Sequence, residues 1–122
     1  MKFIFAVAMF WQLLFCQSIF AAEVSQEMAL KKARETMEVA LKKECQTLSA
    51  RHLREHPKAD KISCESKWED EQTTLREEDS KTGWIFIWSK HPPGGFEFDV
   101  SVFVSKKGRS KVKKISLIFA NA

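Results

Sequence analysis

Residues 96–119 read FEFDVSVFVSKKGRSKVKKISLIF. Apolar residues at 96, 98, 100, 102 and 104 alternate with polar residues at 97, 99 and 101, and this period of two is typical of a half-buried strand. The segment 106–110 follows, with Gly108 where a hairpin turn needs a residue in the left-handed region. A second strand is predicted over 111–119, so the whole stretch predicts a β-hairpin. The inward positions of its last strand are Ile115, Leu117 and Phe119.

Further strands are predicted upstream of this hairpin. Residues 84–88 read WIFIW and are apolar at every position, which indicates an inner strand, and the breakers at 91–95 end it. Residues 62–69 alternate, which predicts a half-buried strand. Residues 72–76 fit either a short strand or a loop.

One long helix is predicted ahead of the strands, over 25–54. Its apolar residues recur every three or four positions and therefore fall on one face. Ser25 suits the N-cap, and Pro57 ends the helix because the residue before a proline is pushed out of the helical region. The predicted buried stripe is Leu30, Ala33, Met37, Leu41, Cys45 and Leu48.

The expected fold class is α+β: one long N-terminal helix packed on a three- to four-stranded antiparallel β-meander. The helix stripe should cover one face of the sheet, because both apolar surfaces are then buried. An apolar cluster on the other face would be partly exposed. Such patches often mark partner contacts, and the alternative is that loops or a second protomer cover it. Its predicted members are Ile85, Ile87, Phe103, Val112 and Ile118.

Residues 1–22 have the layout of a secretory signal peptide. Lys2 precedes an apolar run, and the small residues Ala21 and Ala22 suit a signal peptidase. Cleavage there would leave 23–122 as a single α+β domain, secreted or periplasmic, in oxidising surroundings. The alternative is a retained membrane anchor, since about 20 apolar residues span a bilayer. The absence of a following cluster of Lys or Arg argues against that alternative.

Two cysteines follow the signal segment, Cys45 and Cys64. In an oxidising compartment an even pair of cysteines predicts a disulfide, which small exported domains commonly need. Closing this loop would stabilise the fold by about 3 kcal/mol. The competing hypothesis, a catalytic thiol, requires an unpaired cysteine beside a histidine.

Residues 52–56 read HLREH, a literal His-x-x-Glu-His. In inverted zincins this spacing places two histidines on one helical face as zinc ligands, with the glutamate as base. Here Pro57 cuts the helix close to His56, a third ligand would have to come from a distant loop, and such proteases are much larger. His52, Glu55 and His56 are therefore interpreted as polar residues of a helix end. We predict no catalytic residues, no metal and no cofactor, and a protein that is not an enzyme.

A cluster of cations surrounds the predicted hairpin turn and forms the candidate binding surface. Clustered positive charge favours phosphates and other anions, and the export signal argues against nucleic acid. Anionic lipid, lipopolysaccharide, acidic glycan or an acidic protein are the expected ligands. The alternative is that lysines on an edge strand discourage aggregation. The cations are Lys106, Lys107, Arg109, Lys111, Lys113 and Lys114.

The order of a helix followed by a meander resembles small secreted helix-on-sheet families, chiefly the cystatin-like fold and the PepSY-type modules of bacterial envelopes. The resemblance is one of layout over most of the predicted mature chain. PepSY-like domains often end in a strand, an Asp-x-x-Thr-Gly turn and a returning strand. The matching residues 102–108 read VFVSKKG and keep the strands and the glycine. The chain has no counterpart of the Gln-x-Val-x-Gly loop of cystatins, so protease inhibition of that type is not implied.

These observations predict a small exported, non-enzymatic binding module that engages a protein partner, in the manner of an inhibitor or immunity factor. The alternative is a surface-associating protein that binds anionic lipid or glycan through the basic C-terminal hairpin. The sequence leaves the partner and the oligomeric state open.

Overall fold

The computed structural model describes residues 23–65 and 67–120. These residues form one helix and four strands: α1 (Gln26–Glu55), β1 (Thr74–Ser80), β2 (Gly83–Lys90), β3 (Gly95–Ser105) and β4 (Ser110–Ala120). The strands lie in the order β1-β2-β3-β4, and every neighbouring pair is antiparallel. The predicted α+β fold is thus confirmed. The interpretation of residues 1–22 as a signal peptide lies outside the described residues.

Helix α1 begins and ends near the predicted positions. The Ser25 hydroxyl accepts a hydrogen bond from the backbone N–H of Met28 over 3.2 Å, which caps the first turn. The helix ends two residues before Pro57. Leu30 and Leu48 of the predicted stripe are only half-buried. The buried stripe is Ala29, Ala33, Met37, Leu41, Cys45 and Ser49.

The segment between α1 and β1 corrects one prediction. The alternation over 62–69 predicts a strand, but the described part of this segment is irregular. Ile62 and Trp68 are nevertheless buried, so the apolar pattern reports burial rather than a strand. A disulfide and side-chain bonds hold this segment against the helix and the sheet. Strand pairing begins only at Thr74, which resolves the ambiguous stretch 72–76 in favour of a strand.

The core lies between α1 and one face of the sheet. Strand β2 lies between β1 and β3, as its apolar sequence predicts. The fully buried stripe of α1 packs on side chains that alternate along β2 and β3. The largest of these strand residues are Phe86, Trp88, Phe98, Val100, Val102 and Val104.

A β-bulge in β4 corrects a second prediction. Ser101 pairs with Lys114, whereas Val102 pairs with Val112, so Lys113 is an extra residue without a partner position on β3. The extra residue reverses the alternation of β4. Val112 therefore packs against the core on the helix side, as Ile115 does, and not on the opposite face as predicted.

Candidate functional site

The face of the sheet that points away from α1 is called the open face below. Its residues form rows across the four strands, which lie about 4.8 Å apart. One row is Glu78, Ile85, Phe103 and Lys111; the next is Arg76, Ile87, Ser101 and Lys114; the third is Thr74, Ser89, Asp99 and Ser116. A shallow depression of about 800 Å³ lies over the second and third rows.

The apolar centre of the open face consists of Ile85, Ile87 and Phe103. These residues are neighbours on the two inner strands, and all three are half-buried. Ile118 lies on the same face and is 52% exposed, but the polar third row separates it from this centre. The structure thus brings together three of the five residues predicted for an apolar cluster.

The lysines of β4 border this apolar centre. The bulge places Lys113 and Lys114 next to each other on the open face, because two successive side chains point to the same side of the sheet at a bulge. The Lys113 ammonium lies 5.9 Å from the centroid of the Phe103 ring, within range of a cation–π contact. Lys111, Lys113 and Lys114 are exposed, and the described residues offer none of them an ion pair. Positive charge therefore stands directly beside the apolar centre.

The remaining predicted cations lie at one end of the sheet. The backbone N–H of Lys106 donates to the carbonyl of Thr82 over 3.0 Å, and the N–H of Val24 donates to the carbonyl of Lys106 over 2.8 Å. The first and third turns of the meander therefore lie side by side, which brings Lys81 to the predicted group. Sequence reasoning missed Lys81, although the meander order implies that alternate turns share one end of a sheet. This basic end consists of Lys81, Lys106, Lys107 and Arg109.

Ser89, His91 and Asp99 come together beside the open face. Asp99 Oδ1 accepts a hydrogen bond from the Ser89 hydroxyl over 2.7 Å and lies 3.1 Å from His91 Nε2. The carboxylate therefore stands between the other two residues. A serine nucleophile needs the histidine in that central place, where it can accept the hydroxyl proton. This cluster holds the loop after β2 against β3 and does not activate Ser89.

His52 and His56 lie at the C-terminal end of α1. Their ring centroids are 5.2 Å apart, and His56 is the C-cap residue. Within residues 23–65 and 67–120, no three side chains of His, Cys, Asp or Glu converge on a point that could hold a metal ion. A catalytic zinc site uses three protein ligands. The two histidines therefore offer at most an incomplete ligand set.

The segment before β1 is tied to the core through Glu69. Its carboxylate accepts hydrogen bonds from Trp88 Nε1 over 2.9 Å and from Arg34 Nε over 2.6 Å. Burial raises the pKa of Glu69, but the hydrogen bonds from Arg34 and Trp88 outweigh it, so the pKa lies below its ordinary value of 4.5. The neighbouring Asp70 forms an ion pair with Lys90. These bonds stabilise the fold and leave no free acid–base pair here.

The predicted disulfide between Cys45 and Cys64 is present. It joins the buried stripe of α1 to the irregular segment, with the two Cα atoms 5.8 Å apart. The pairing supports the expectation of an oxidising compartment and removes both thiols from nucleophilic chemistry.

The fold and its open face define a two-layer α+β module. Comparison with protein-family models, with curated protein sequences and with solved structures gave no match to this chain. Among residues 23–65 and 67–120, α1 is too polar to cross a membrane and no other long helix is present.

Proposed function

We propose that this chain is an exported, non-enzymatic binding module whose open face engages an acidic protein partner. The observation that carries the proposal is the position of Lys113 over the ring of Phe103, which joins a row of cations to an apolar surface. Single exposed apolar residues need no explanation, but a contiguous centre beside unpaired charge is typical of an interaction surface.

The two parts of this surface have different roles. Ile85, Ile87 and Phe103 supply the apolar area that a partner can bury, and burial of such area is the main source of affinity. The lysines of β4 attract an acidic partner and set its orientation, because complementary charge acts mainly on association rate and specificity. An inhibitor or immunity factor would use both. The predicted signal segment and the disulfide support export.

The first experiment is affinity capture with two variants of the open face. The full chain is expressed with its N-terminal segment, purified as exported, immobilised and exposed to an envelope and medium extract of its source. Wild type should retain one protein at fixed stoichiometry. Phe103→Asp and the double variant Lys113→Glu/Lys114→Glu should lose it. Lys31→Glu/Lys42→Glu on the exposed side of α1 is the matched charge control and should retain it.

This proposal fails if Phe103→Asp captures the same protein as wild type to the same extent. It also fails if the α1 control loses capture as completely as the β4 variant, because net charge alone would then explain binding. Circular dichroism of each variant shows whether the fold is intact, since Phe103 is half-buried.

A second candidate function rests on the basic end. The hydrogen bond from Lys106 to Thr82 adds Lys81 to three cations of the hairpin turn, so four cations lie at one end of the sheet. Such a cluster favours an anionic lipid or glycan surface, and each cation near an anionic membrane contributes about 1 kcal/mol. Sedimentation with anionic vesicles tests it. Binding should fall with salt and with Lys106→Glu/Lys107→Glu/Arg109→Glu, and it should persist in Phe103→Asp. Equal binding by the triple variant would refute this function.

A further inference from the structure

The sheet has two free edges of opposite charge. Strand β1 carries Glu77, Glu78 and Asp79, all exposed, and β4 carries the exposed lysines described above. Each of these strands pairs on one side only, β1 with β2 and β4 with β3. In the part of the chain that the structure describes, no further backbone hydrogen bond reaches either outer side.

The helix layer adds positive charge on the β4 side. The Thr36 hydroxyl donates to Ser110 Oγ over 2.7 Å, which marks the flank of α1 that lies toward β4. Lys32 and Lys43 lie four residues before and seven residues after Thr36 and therefore share that flank. Leu75, on the helix side of β1, is 39% exposed. The flank of α1 beside β4 is thus cationic, as β4 itself is, whereas the excess of acidic residues lies on β1.

Charge at the edges opposes pairing of β1 with β1 and of β4 with β4 between two copies, and it favours pairing of β1 with β4. Two β1 strands would bring together two edges of net negative charge, since Glu77, Glu78 and Asp79 outnumber Arg76, and two β4 strands would oppose their lysines. Pairing of β1 with β4 joins opposite charges. These strands also run in opposite directions within the sheet, so a second copy in the same orientation continues the antiparallel order.

We propose that copies of this chain associate edge to edge, with the acidic β1 of one copy against the basic β4 of the next. The favoured register places Glu78 opposite Lys114 of the neighbour. In the same register Leu75 falls opposite Leu117, and both of these apolar residues lie on the helix side. One alignment thus pairs opposite charges on the open face and two leucines on the helix side, where Glu77 falls opposite Ile115.

The contact is heterologous, because the two edges are different surfaces. A heterologous contact that does not close into a ring produces an open series of copies, whose mean mass rises with concentration. The apolar centre of the open face stays uncovered in such a series, although Lys113 and Lys114 take part in both proposed contacts. Phe103→Asp therefore separates the two proposals, because it should lose the partner and still self-associate as wild type does.

Charge exchange between the edges tests the proposal. The full chain, purified as exported, is studied by sedimentation velocity beside Glu77→Lys/Glu78→Lys and Lys113→Glu/Lys114→Glu. At about 0.01 M salt, where the Debye length is about 30 Å, wild type should form species larger than the monomer, and at about 1 M salt it should lose them. Each double variant alone should remain monomeric. An equimolar mixture of the two should regain association, because each supplies the charge that the other needs.

A chain that carries all four substitutions should also associate, which separates loss of contact from loss of fold. Lys31→Glu/Lys42→Glu is the control of matched charge and should behave as wild type. Monomeric wild type at low salt overturns the proposal. So does association of either double variant alone, because the copies would then meet through another surface, and so does a mixture that stays monomeric while wild type associates.

Discussion

Trp88 donates its indole Nε1–H to Glu69 Oε2 over 2.9 Å, which joins a fully buried ring of β2 to the irregular segment before β1. Arg34 of α1 binds the other carboxylate oxygen of Glu69. One carboxylate therefore connects the helix, the sheet and the segment between them. The indole N–H has its hydrogen-bond partner only while this segment stays in place.

Replacement of Glu69 should destabilise the fold more than replacement of an exposed carboxylate does, although Glu69 lies near the surface. Glu69→Ala leaves the buried Trp88 N–H without a partner, and an unsatisfied buried donor costs about 1–3 kcal/mol. Glu69→Gln keeps an acceptor oxygen and should cost less. The free energy of unfolding, from urea titration followed by tryptophan fluorescence, measures both. Glu71→Ala, an exposed neighbour, is the control. Equal stability of Glu69→Ala and Glu71→Ala would show that water replaces the carboxylate as the hydrogen-bond acceptor of Trp88.

Acid should weaken the same connection. The hydrogen bonds from Arg34 and Trp88 outweigh burial and lower the pKa of Glu69 below 4.5, and the hydrogen bond from Lys90 lowers the pKa of Asp70 below 3.8. A carboxylate whose pKa is lower in the folded state stabilises the fold above its unfolded pKa. This stability is lost as pH falls through the folded pKa.

The urea midpoint should therefore fall as pH decreases from the ordinary carboxyl range toward and below the lowered pKa values. The fall should be shallower in the double variant Glu69→Gln/Asp70→Asn, because its two amides do not titrate. Glu71→Gln/Glu78→Gln removes two exposed carboxylates and serves as the control. If the urea midpoints of wild type and of the Glu69/Asp70 variant fell in parallel with pH, other groups would cause the acid sensitivity.

Local patterns in the sequence predicted α1, β2, β3 and the disulfide because each of these features depends on residue spacing along the chain. Strand β1 is different: TLREEDS is exposed at nearly every position, so no alternation marks it as a strand. Strand β1 forms because it pairs with β2, and not because of a pattern in its own sequence. The bond from Trp88 to Glu69 likewise joins residues 19 positions apart with no shared pattern. Lys81 could have been predicted from the meander, whereas the bulge at Lys113 could not.

Loss of the disulfide should lower the free energy of unfolding by more than the packing contacts of either cysteine side chain contribute. Cys45 and Cys64 are 19 residues apart, and removal of a crosslink across such a loop costs about 3 kcal/mol. Cys45→Ala/Cys64→Ala should lower the free energy of unfolding, measured by urea titration, by about that amount. Reduced wild type should match the double variant to within about 1 kcal/mol, since the remaining difference is one of packing. A reduced chain as stable as the oxidised one would show that the other bonds of the segment suffice.

Gly83 and Gly95 should resist substitution for different reasons. A Cβ at Gly83 would meet the backbone of Val104 and would lie 2.8 Å from Ser105 Cα, so Gly83→Ala should cost about 1–3 kcal/mol through overpacking. Gly95 has open space but a φ of +91°. Asparagine tolerates positive φ better than alanine. Gly95→Asn should therefore be more stable than Gly95→Ala, and Gly83→Asn should show no such recovery. Thermal unfolding of the four variants measures this, and recovery at Gly83 would contradict the steric explanation.

Because of the bulge, deletion of one residue from β4 should change the stability of the fold only slightly. Removal of one residue from a paired strand normally transfers every later side chain to the other face. Lys113, however, is the extra residue between Val112 and Lys114. Its deletion should restore regular alternation, keep Ile115 and Leu117 on the helix side and change the free energy of unfolding by less than about 1 kcal/mol. Deletion of Ser116 is the matched control in the same strand. It should turn Leu117 and Phe119 away from the helix side, and Ile118, which takes the place of Leu117, recovers only part of their contacts, so this deletion should be the less stable of the two. Urea titration of the two deletions decides: if the Lys113 deletion is the less stable of the two, β4 does not pair with β3 in the register described.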